Sequence, residues 1–182
     1  PDDNHGIYTI NSEPQGTFVS TNVEYSGNDL TPIVEWLGAD ADSFEGQEGN
    51  LDDGMVQLRG LIDISAPGWH DFRSASDDGS VVRIGNQVVV NNDGGHAAIK
   101  ASDIIALKKG VHQLKVSYIE DYEGNSLEIG MSVQGKPGKP IKDNFLIGGT
   151  NATSSSETFS STRAGKNLAT GGAANNQVII FP

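Results

Sequence analysis

The stretch from Trp69 to Ile84 reads WHDFRSASDDGSVVRI. Apolar and polar residues alternate at its start, which is typical of a half-buried strand, and it ends in the apolar run Val81–Ile84. Between the two runs stand the adjacent acids Asp77 and Asp78, followed by a glycine. Neighbouring side chains of a strand point to opposite faces, so aiming both carboxylates at one point requires an unusual bend. A hard cation is the usual reason for two close negative charges, and we interpret the pair as calcium ligands.

The rest of the chain predicts an all-β fold. Short runs rich in Val, Ile, Leu and aromatic residues recur along it, separated by Gly, Asn, Asp and Pro, and helical periodicity is scarce. This pattern is typical of a β-sandwich of antiparallel strands with long loops. The 23 glycines fit the many turns that such a fold requires.

Two hairpins are predicted from the strand patterns. Gly85-Asn86 separates two β-branched runs, which is a strong signal for a two-residue hairpin turn. Further on, His112–Tyr118 alternates cleanly, an acidic loop follows, and Leu127–Val133 has the pattern of a returning strand. We therefore expect a second hairpin around that acidic loop.

Charge and composition exclude several classes of partner. The chain carries 24 acidic against 12 basic residues, a net charge of −12, whereas nucleic acids and anionic membranes attract Lys and Arg. It has no cysteine, which excludes disulfides and Cys-based zinc sites. No apolar run approaches the ~20 residues needed to cross a bilayer. We expect no nucleic-acid partner, no membrane insertion, and a monomeric module within a larger chain.

The domain organisation is predicted as one domain over residues 1–182. Within it, residues 136–176 form a loop-rich extension, dominated in its later part by Ser, Thr, Gly, Ala and Asn, a composition that buries no core of its own. Residues 177–182 are mostly apolar and are expected to form a strand that returns to the body, beside the predicted strand Ile7–Ile10.

Residues Trp69–Val133 resemble the anthrax protective-antigen-type domain, the family named after that toxin's fourteen-kilodalton fragment. The resemblance rests on the order and spacing of these segments: Phe72, Ser76–Ser80, Val82–Val89, His96, Leu107–His112, Val116–Tyr118 and Leu127–Ile129. It implies a β-sandwich. The family includes yeast flocculins and epithelial adhesins, glycosidase accessory modules, and sugar-binding modules of large bacterial RTX adhesins.

The resemblance also implies a site. In the sugar-binding members the two Asp residues are joined by a cis peptide, so that both face one calcium, and a second loop completes the ligands. The equivalent loop here is Glu120–Ser126, and its alternate positions Asp121, Glu123 and Asn125 are the candidate ligands. Vicinal hydroxyls of a hexose would occupy the open calcium positions. The residues expected to contact the sugar are Asp77, Asp78, His96, Tyr122, Gly124 and Asn125.

Each candidate has a plainer alternative. Asp-Asp-Gly is common in β-turns, and the second loop is equally readable as a solvated acidic loop. Asp52-Asp53-Gly54 repeats the acidic pattern and competes for the metal. His96 is expected to make a loop hydrogen bond or to pack rather than to bind metal. Trp69 and Trp36 are expected in the core rather than against a sugar.

We hypothesise a Ca²⁺-dependent carbohydrate-binding (lectin) module of a large secreted bacterial adhesin. Its partners would be glucose-, mannose- or fucose-like glycans on cell surfaces, and its location secreted or on the cell surface. No catalytic residue is expected, because glycosidase carboxylates flank the substrate ~5–9.5 Å apart, and adjacent acids aimed at one ion match that poorly. The alternatives are a calcium-stabilised spacer of an adhesin and an accessory domain of a secreted glycosidase.

Overall fold

The computed structural model describes residues 16–19, 23, 25–26, 45–46, 54–121, 124–141 and 177–181. These residues form twelve strands: β1 (Gly16–Val19), β2 (Tyr25–Ser26), β3 (Glu45–Gly46), β4 (Gly54–Ile64), β5 (Gly68–Asp77), β6 (Ser80–Ile84), β7 (Gln87–Asn92), β8 (Ile99–Leu107), β9 (Gly110–Glu120), β10 (Ser126–Val133), β11 (Lys139–Pro140) and β12 (Gln177–Phe181). The described part of the chain contains no helix with the length and hydrophobicity of a membrane span.

The strands build two sheets, and their described pairings are all antiparallel. The seven-stranded sheet has the order β3-β1-β12-β4-β9-β6-β7, and the other sheet has the order β11-β10-β5-β8, with β2 also pairing β10. The predicted all-β sandwich is confirmed. The strand Gln177–Phe181 lies between β1 and β4, while Ile7–Ile10 lies outside the described residues.

One hydrophobic core fills the space between the sheets. From Trp69 to Asp77 along β5, the even-numbered residues are buried and the odd-numbered ones are partly or largely exposed, because side chains of a strand alternate between its faces. Both sheets contribute to the same cluster. Its members include Val56, Leu58, Val82, Val116 and Tyr118 from the larger sheet, and Phe72, Ile105, Leu107, Leu127 and Ile129 from the smaller one.

The first predicted hairpin is confirmed, and the second is wrong. Strands β6 and β7 pair around Gly85, whose φ of 57° lies in the left-handed region that glycine tolerates. Strands β9 and β10, in contrast, belong to different sheets, β9 pairing with β4 and β6, and β10 with β5. The acidic loop between them is therefore a connection from one sheet to the other.

A row of basic side chains crosses the outer face of the larger sheet. Arg59 on β4 and Arg83 on β6 both lie opposite Lys115 on the strand between them. Burial lowers the pKa of Lys115, and the neighbouring Arg59 and Arg83 lower it further. Burial also lowers the pKa of Arg59. The charged form of Lys115 is thus disfavoured in the folded protein.

Replacing Lys115 with Met should raise the free energy of unfolding at neutral pH. Below the lowered pKa, Lys115 is charged in both the folded and the unfolded protein, and burying its charge lowers the free energy of unfolding. This destabilisation disappears as the pH rises to the ordinary lysine pKa of about 10.4. Urea unfolding at several pH values would show the gain shrinking towards that pH. Lys109→Met, at an exposed turn, is the control, and an equal gain there would contradict the explanation.

Candidate functional site

Three connections between the sheets meet at one end of the sandwich. They link β5 to β6, β7 to β8, and β9 to β10, and each passes from one sheet to the other. Asp77 pairs with Ser126 at the start of β10, and the Ile119 amide donates to the Gly79 carbonyl at 2.9 Å. The Asp77-Asp78 pair is therefore placed directly beside the acidic connection after β9.

The Asp78 carboxylate ties the three connections together. The side chain is only 6% exposed. Its Oδ1 accepts a hydrogen bond from the His96 main-chain amide at 2.7 Å, and its Oδ2 accepts one from the Asp121 main-chain amide at 2.9 Å. The Asp77–Asp78 peptide bond is cis, as the family resemblance implies. An ionised carboxylate has about four lone-pair positions, so the Asp78 oxygens keep acceptor capacity beyond these two bonds.

A close backbone contact fixes the first connection against the second. A Cβ atom added to Gly79 would lie 2.7 Å from both the amide nitrogen and the carbonyl oxygen of Gly94, and 3.0 Å from Ile119 Cδ1. Backbone atoms cannot move aside as a flexible side chain does. Only glycine therefore fits at position 79.

The other carboxylates of the site lie against glycines of the neighbouring connections. A Cβ atom added to Gly95 would lie 3.8 Å from Asp121 Oδ2 and 3.9 Å from Asp78 Oδ1. A Cβ atom added to Gly124 would lie 3.9 Å from Asp77 Oδ2. The structure thus brings the predicted ligands Asp78 and Asp121 to one place and sets Asp77 next to the second loop.

The remaining predicted residues fall into two groups. Asn125 is 2% exposed and Gly124 is half-buried, both in the connection that leads to β10. Tyr122 and Glu123 lie outside the described residues, as do Asp52 and Asp53 of the competing acidic motif. His96 contributes its main-chain amide to Asp78, while its ring nitrogens each lie 3.1 Å from a carbonyl oxygen, Nδ1 from Ala97 and Nε2 from Asn92.

A buried tyrosine supports the acidic pair from the core. The Tyr118 hydroxyl lies 2.5 Å from the Asp77 main-chain oxygen and 2.6 Å from Glu120 Oε2. Tyr118 is fully buried and Glu120 is 2% exposed. The hydroxyl joins the end of β9 to the end of β5, and so helps to fix the backbone that carries both Asp side chains.

A chain of small polar side chains that was not predicted from the sequence lies beneath the pair. Ser80 Oγ lies 2.5 Å from Ser74 Oγ and 2.8 Å from Ser76 Oγ, and the Asn92 amide donates to Ser76 Oγ at 2.9 Å. All four side chains are buried. The signal was present in β5, where Ser74 and Ser76 continue the inward positions of His70 and Phe72.

The donor chemistry of the site suits calcium. The side chains gathered here offer carboxylate and amide oxygens, from Asp77, Asp78, Asp121 and Asn125, and hard oxygen donors favour Ca²⁺ over zinc or copper. Over the ranges that the structure describes, no three His, Cys, Asp or Glu side chains form a metal-binding group. The acids alone therefore do not make a complete site there, and amide and main-chain oxygens would have to supply the other ligands.

Comparison of the sequence with known protein families identifies the family of this chain. Residues 9–145, more than half of the chain, match the PA14 domain. The chain belongs to the PA14 domain family. This confirms the resemblance seen in the sequence, and it extends the match beyond Trp69–Val133 in both directions. No curated protein matches this PA14 domain in sequence.

Solved structures share the fold of this PA14 domain. The PA14 domain of the antifreeze protein MpAFP has a TM-score of 0.64 at 19% identity, covering 74% of this chain and 76% of that one. A PA14 sugar-binding domain from an RTX adhesin has a TM-score of 0.61 at 24% identity, covering 72% and 78%. The Epa9A adhesin domain of Candida glabrata, in complex with Galβ1-4GlcNAc, has a TM-score of 0.50 at 10% identity, covering 68% and 66%.

Replacing Gly79 with Ala should destabilise the PA14 domain by about 1–3 kcal/mol, because the added methyl group overlaps the Gly94 backbone. Chemical denaturation would measure the loss. Gly95→Ala is the matched control, since its Cβ would make only ordinary contacts of 3.8 Å or more. Equal stability of the two variants would show that the close contact is not a constraint.

Replacing Asp78 with Ala should cost about 2–3 kcal/mol of stability, because two main-chain amides lose a charged acceptor. Amide hydrogen exchange would locate the effect, with the His96 and Asp121 amides exchanging faster than in the wild type. Asp103→Ala, which removes an exposed acid from β8, should leave both amides protected. Unchanged exchange in Asp78→Ala would contradict the role of the carboxylate.

Proposed function

We propose that this PA14 domain is a calcium-dependent carbohydrate-binding module. The observation that carries the proposal is the convergence on Asp78. Its buried carboxylate accepts hydrogen bonds from the main-chain amides of two connections, and it and the Asp121 carboxylate both lie near Gly95. Asp77, Asp78, Asp121 and Asn125 would hold the ion, and Glu123 remains a predicted ligand. Calcium bound there would supply coordination positions for vicinal hydroxyls of a hexose.

The residues of the site have separate tasks in this proposal. Asp78 fixes the positions of the connections after β7 and β9 through its two hydrogen bonds. Tyr118 fixes the backbone at Asp77, so the Asp77 side chain stays next to Gly124. Around the ion, Gly124, Asn125, His96 and Tyr122 would contact the hydroxyls of the sugar that are not bound to metal.

The structural relatives support a glycan ligand. One is described as a sugar-binding domain from an RTX adhesin, and another was solved with Galβ1-4GlcNAc bound. We propose by analogy an extracellular or cell-surface adhesin module whose partners are glucose-, mannose- or fucose-like glycans. A binding role also agrees with the hydrogen bonds that Asp78 accepts. Both of its oxygens are held by main-chain amides, which suits an ion ligand better than a general acid.

A calcium-stabilised spacer is the second candidate, and the same contacts favour it. Asp78 already ties three connections, so an ion added there would stiffen the end of the sandwich without any sugar. A spacer predicts stabilisation by calcium and no glycan binding. An accessory domain of a glycosidase would bind glycans as the adhesin module does, and only the neighbouring domain would distinguish it.

Saturating calcium should raise the melting temperature of the wild type by roughly 5–10 °C, the shift for an ion at about a hundred times its dissociation constant. Asp77→Asn should lose most of this shift because it removes one ligand charge and leaves the Asp78 hydrogen bonds in place. Glu128→Gln, an exposed acid on β10, should keep the full shift. Absence of any calcium effect in the wild type would overturn the metal site.

A glycan array probed with and without chelator tests the ligand. The wild type should bind hexose-containing glycans only with calcium, Asp77→Asn should not bind, and Glu128→Gln should bind as the wild type does. Stabilisation by calcium without glycan binding would contradict the carbohydrate-binding module and support the calcium-stabilised spacer. Turnover of any glycoside would overturn the assignment as a binding module.

A further inference from the structure

The outer face of the smaller sheet carries an exposed aromatic side chain. Trp69, at the start of β5, is 52% exposed, so the expectation that it lies in the core is wrong. The alternation of β5 explains this, because odd-numbered positions point away from the core. Trp36 lies outside the described residues. Ile104, on the edge strand β8, is 47% exposed and stands on the same face.

Polar side chains continue this face along β5. Asp71 and Arg73 follow Trp69 at intervals of two residues, on the order of 7 Å apart along the strand. Asp71 lies opposite Ile104 on β8 and Ser132 on β10, and Arg73 lies opposite Ser102 on β8. We call Trp69, Asp71, Arg73 and Ile104 the Trp69 face. It combines an apolar platform with one acid and one base.

Two glycines hold the Arg73 side chain flat on the sheet. A Cβ atom added to Gly130 would lie 2.5 Å from Arg73 Nε, and one added to Gly138 would lie 2.8 Å from Arg73 Cζ. Arg73 is half-buried. Its planar fork is positioned by packing against these glycines, and it presents N–H donors at this face.

We propose that the Trp69 face is a second glycan-contact surface, one that takes neutral pyranose rings without calcium. A pyranose has an apolar C–H face that an aromatic ring can cover, and a rim of hydroxyls that need both donors and acceptors. Trp69 and Ile104 offer the apolar surface, Arg73 offers donors, and Asp71 offers acceptors. The presence of one acid and one base favours an uncharged sugar over an anionic one.

The Trp69 face is separate from the calcium site. Trp69 and Asp77 lie at opposite ends of β5, eight residues or about 26 Å apart. A single hexose cannot reach both places, whereas a longer saccharide lying along β5 could. The inference rests on the proposed function for the class of ligand only, because nothing in the Trp69 face depends on the ion.

Titration calorimetry with cellohexaose, maltohexaose and mannohexaose in the presence of chelator tests this proposal. The wild type and Asp77→Asn should bind at least one of the three, and Trp69→Ala and Arg73→Ala should each lose about tenfold or more in affinity. Trp69→Phe should retain part of the affinity, and Arg73→Lys should not, since it lacks the planar fork. Val88→Ala, at an exposed apolar side chain of the other sheet, should bind as the wild type does.

A spectroscopic measurement separates binding at this face from a general loss of fold. The tryptophan emission of the wild type should shift when the saccharide is added, and the shift should be absent in Trp69→Phe, with circular dichroism unchanged. Failure of the wild type to bind any of the three saccharides in chelator would overturn the inference, and would leave calcium-dependent hexose binding untouched. Dissociation of an oligomer by Trp69→Ala, seen by light scattering without saccharide binding, would instead identify a self-contact and also overturn it.

Discussion

The end of the sandwich that carries the candidate site depends on one buried carboxylate. Asp78 accepts main-chain hydrogen bonds from two different connections, and a buried charge of this kind is tolerated because amide donors replace its water shell. The Gly79–Gly94 contact leaves no room for a side chain between the first two connections. The carboxylate that would bind calcium is therefore also the one that assembles the loops around it. In the proposed function, the same oxygens would hold the loops and the ion.

The sandwich and the acidic pair could be predicted because both depend on local pattern. Alternation in β5 and the Gly85-Asn86 turn are properties of a few neighbouring residues. The second hairpin was mispredicted because alternation shows which residues face the core but not which sheet a strand joins. A strand that returns beside its predecessor and one that crosses to the opposite sheet bury the same side chains. Only the pairing of β10 with β5 distinguishes them.

The contacts that support the acidic pair were harder to predict than the pair itself. Tyr118 and Glu120 belong to strand β9, which is distant in sequence from Asp77. The contacts of the Tyr118 hydroxyl with Asp77 and Glu120 depend on the pairing of β9 with β6. The exposure of Trp69 also depends on how the strands are arranged in the sheet. Its neighbour β8 is an edge strand, and an edge position follows from the order of strands in the sheet. The alternation of β5 places Trp69 on the outer face, but the sequence of β5 does not show that β8 lies at the edge of the described sheet.

The placement of β12 has a consequence for how the chain reaches its fold during synthesis. Residues 177–181 pair with β4 on one side and with β1 on the other, so in the described pairings β1 and β3 are joined to the larger sheet only through β12. Through these pairings, β1 and β3 can join the larger sheet only after residues more than a hundred positions later have left the ribosome. Loop closure over such a separation is slow. Before that moment the edge of β4 that pairs with β12 lacks this partner, and an unpaired strand edge can pair with other chains.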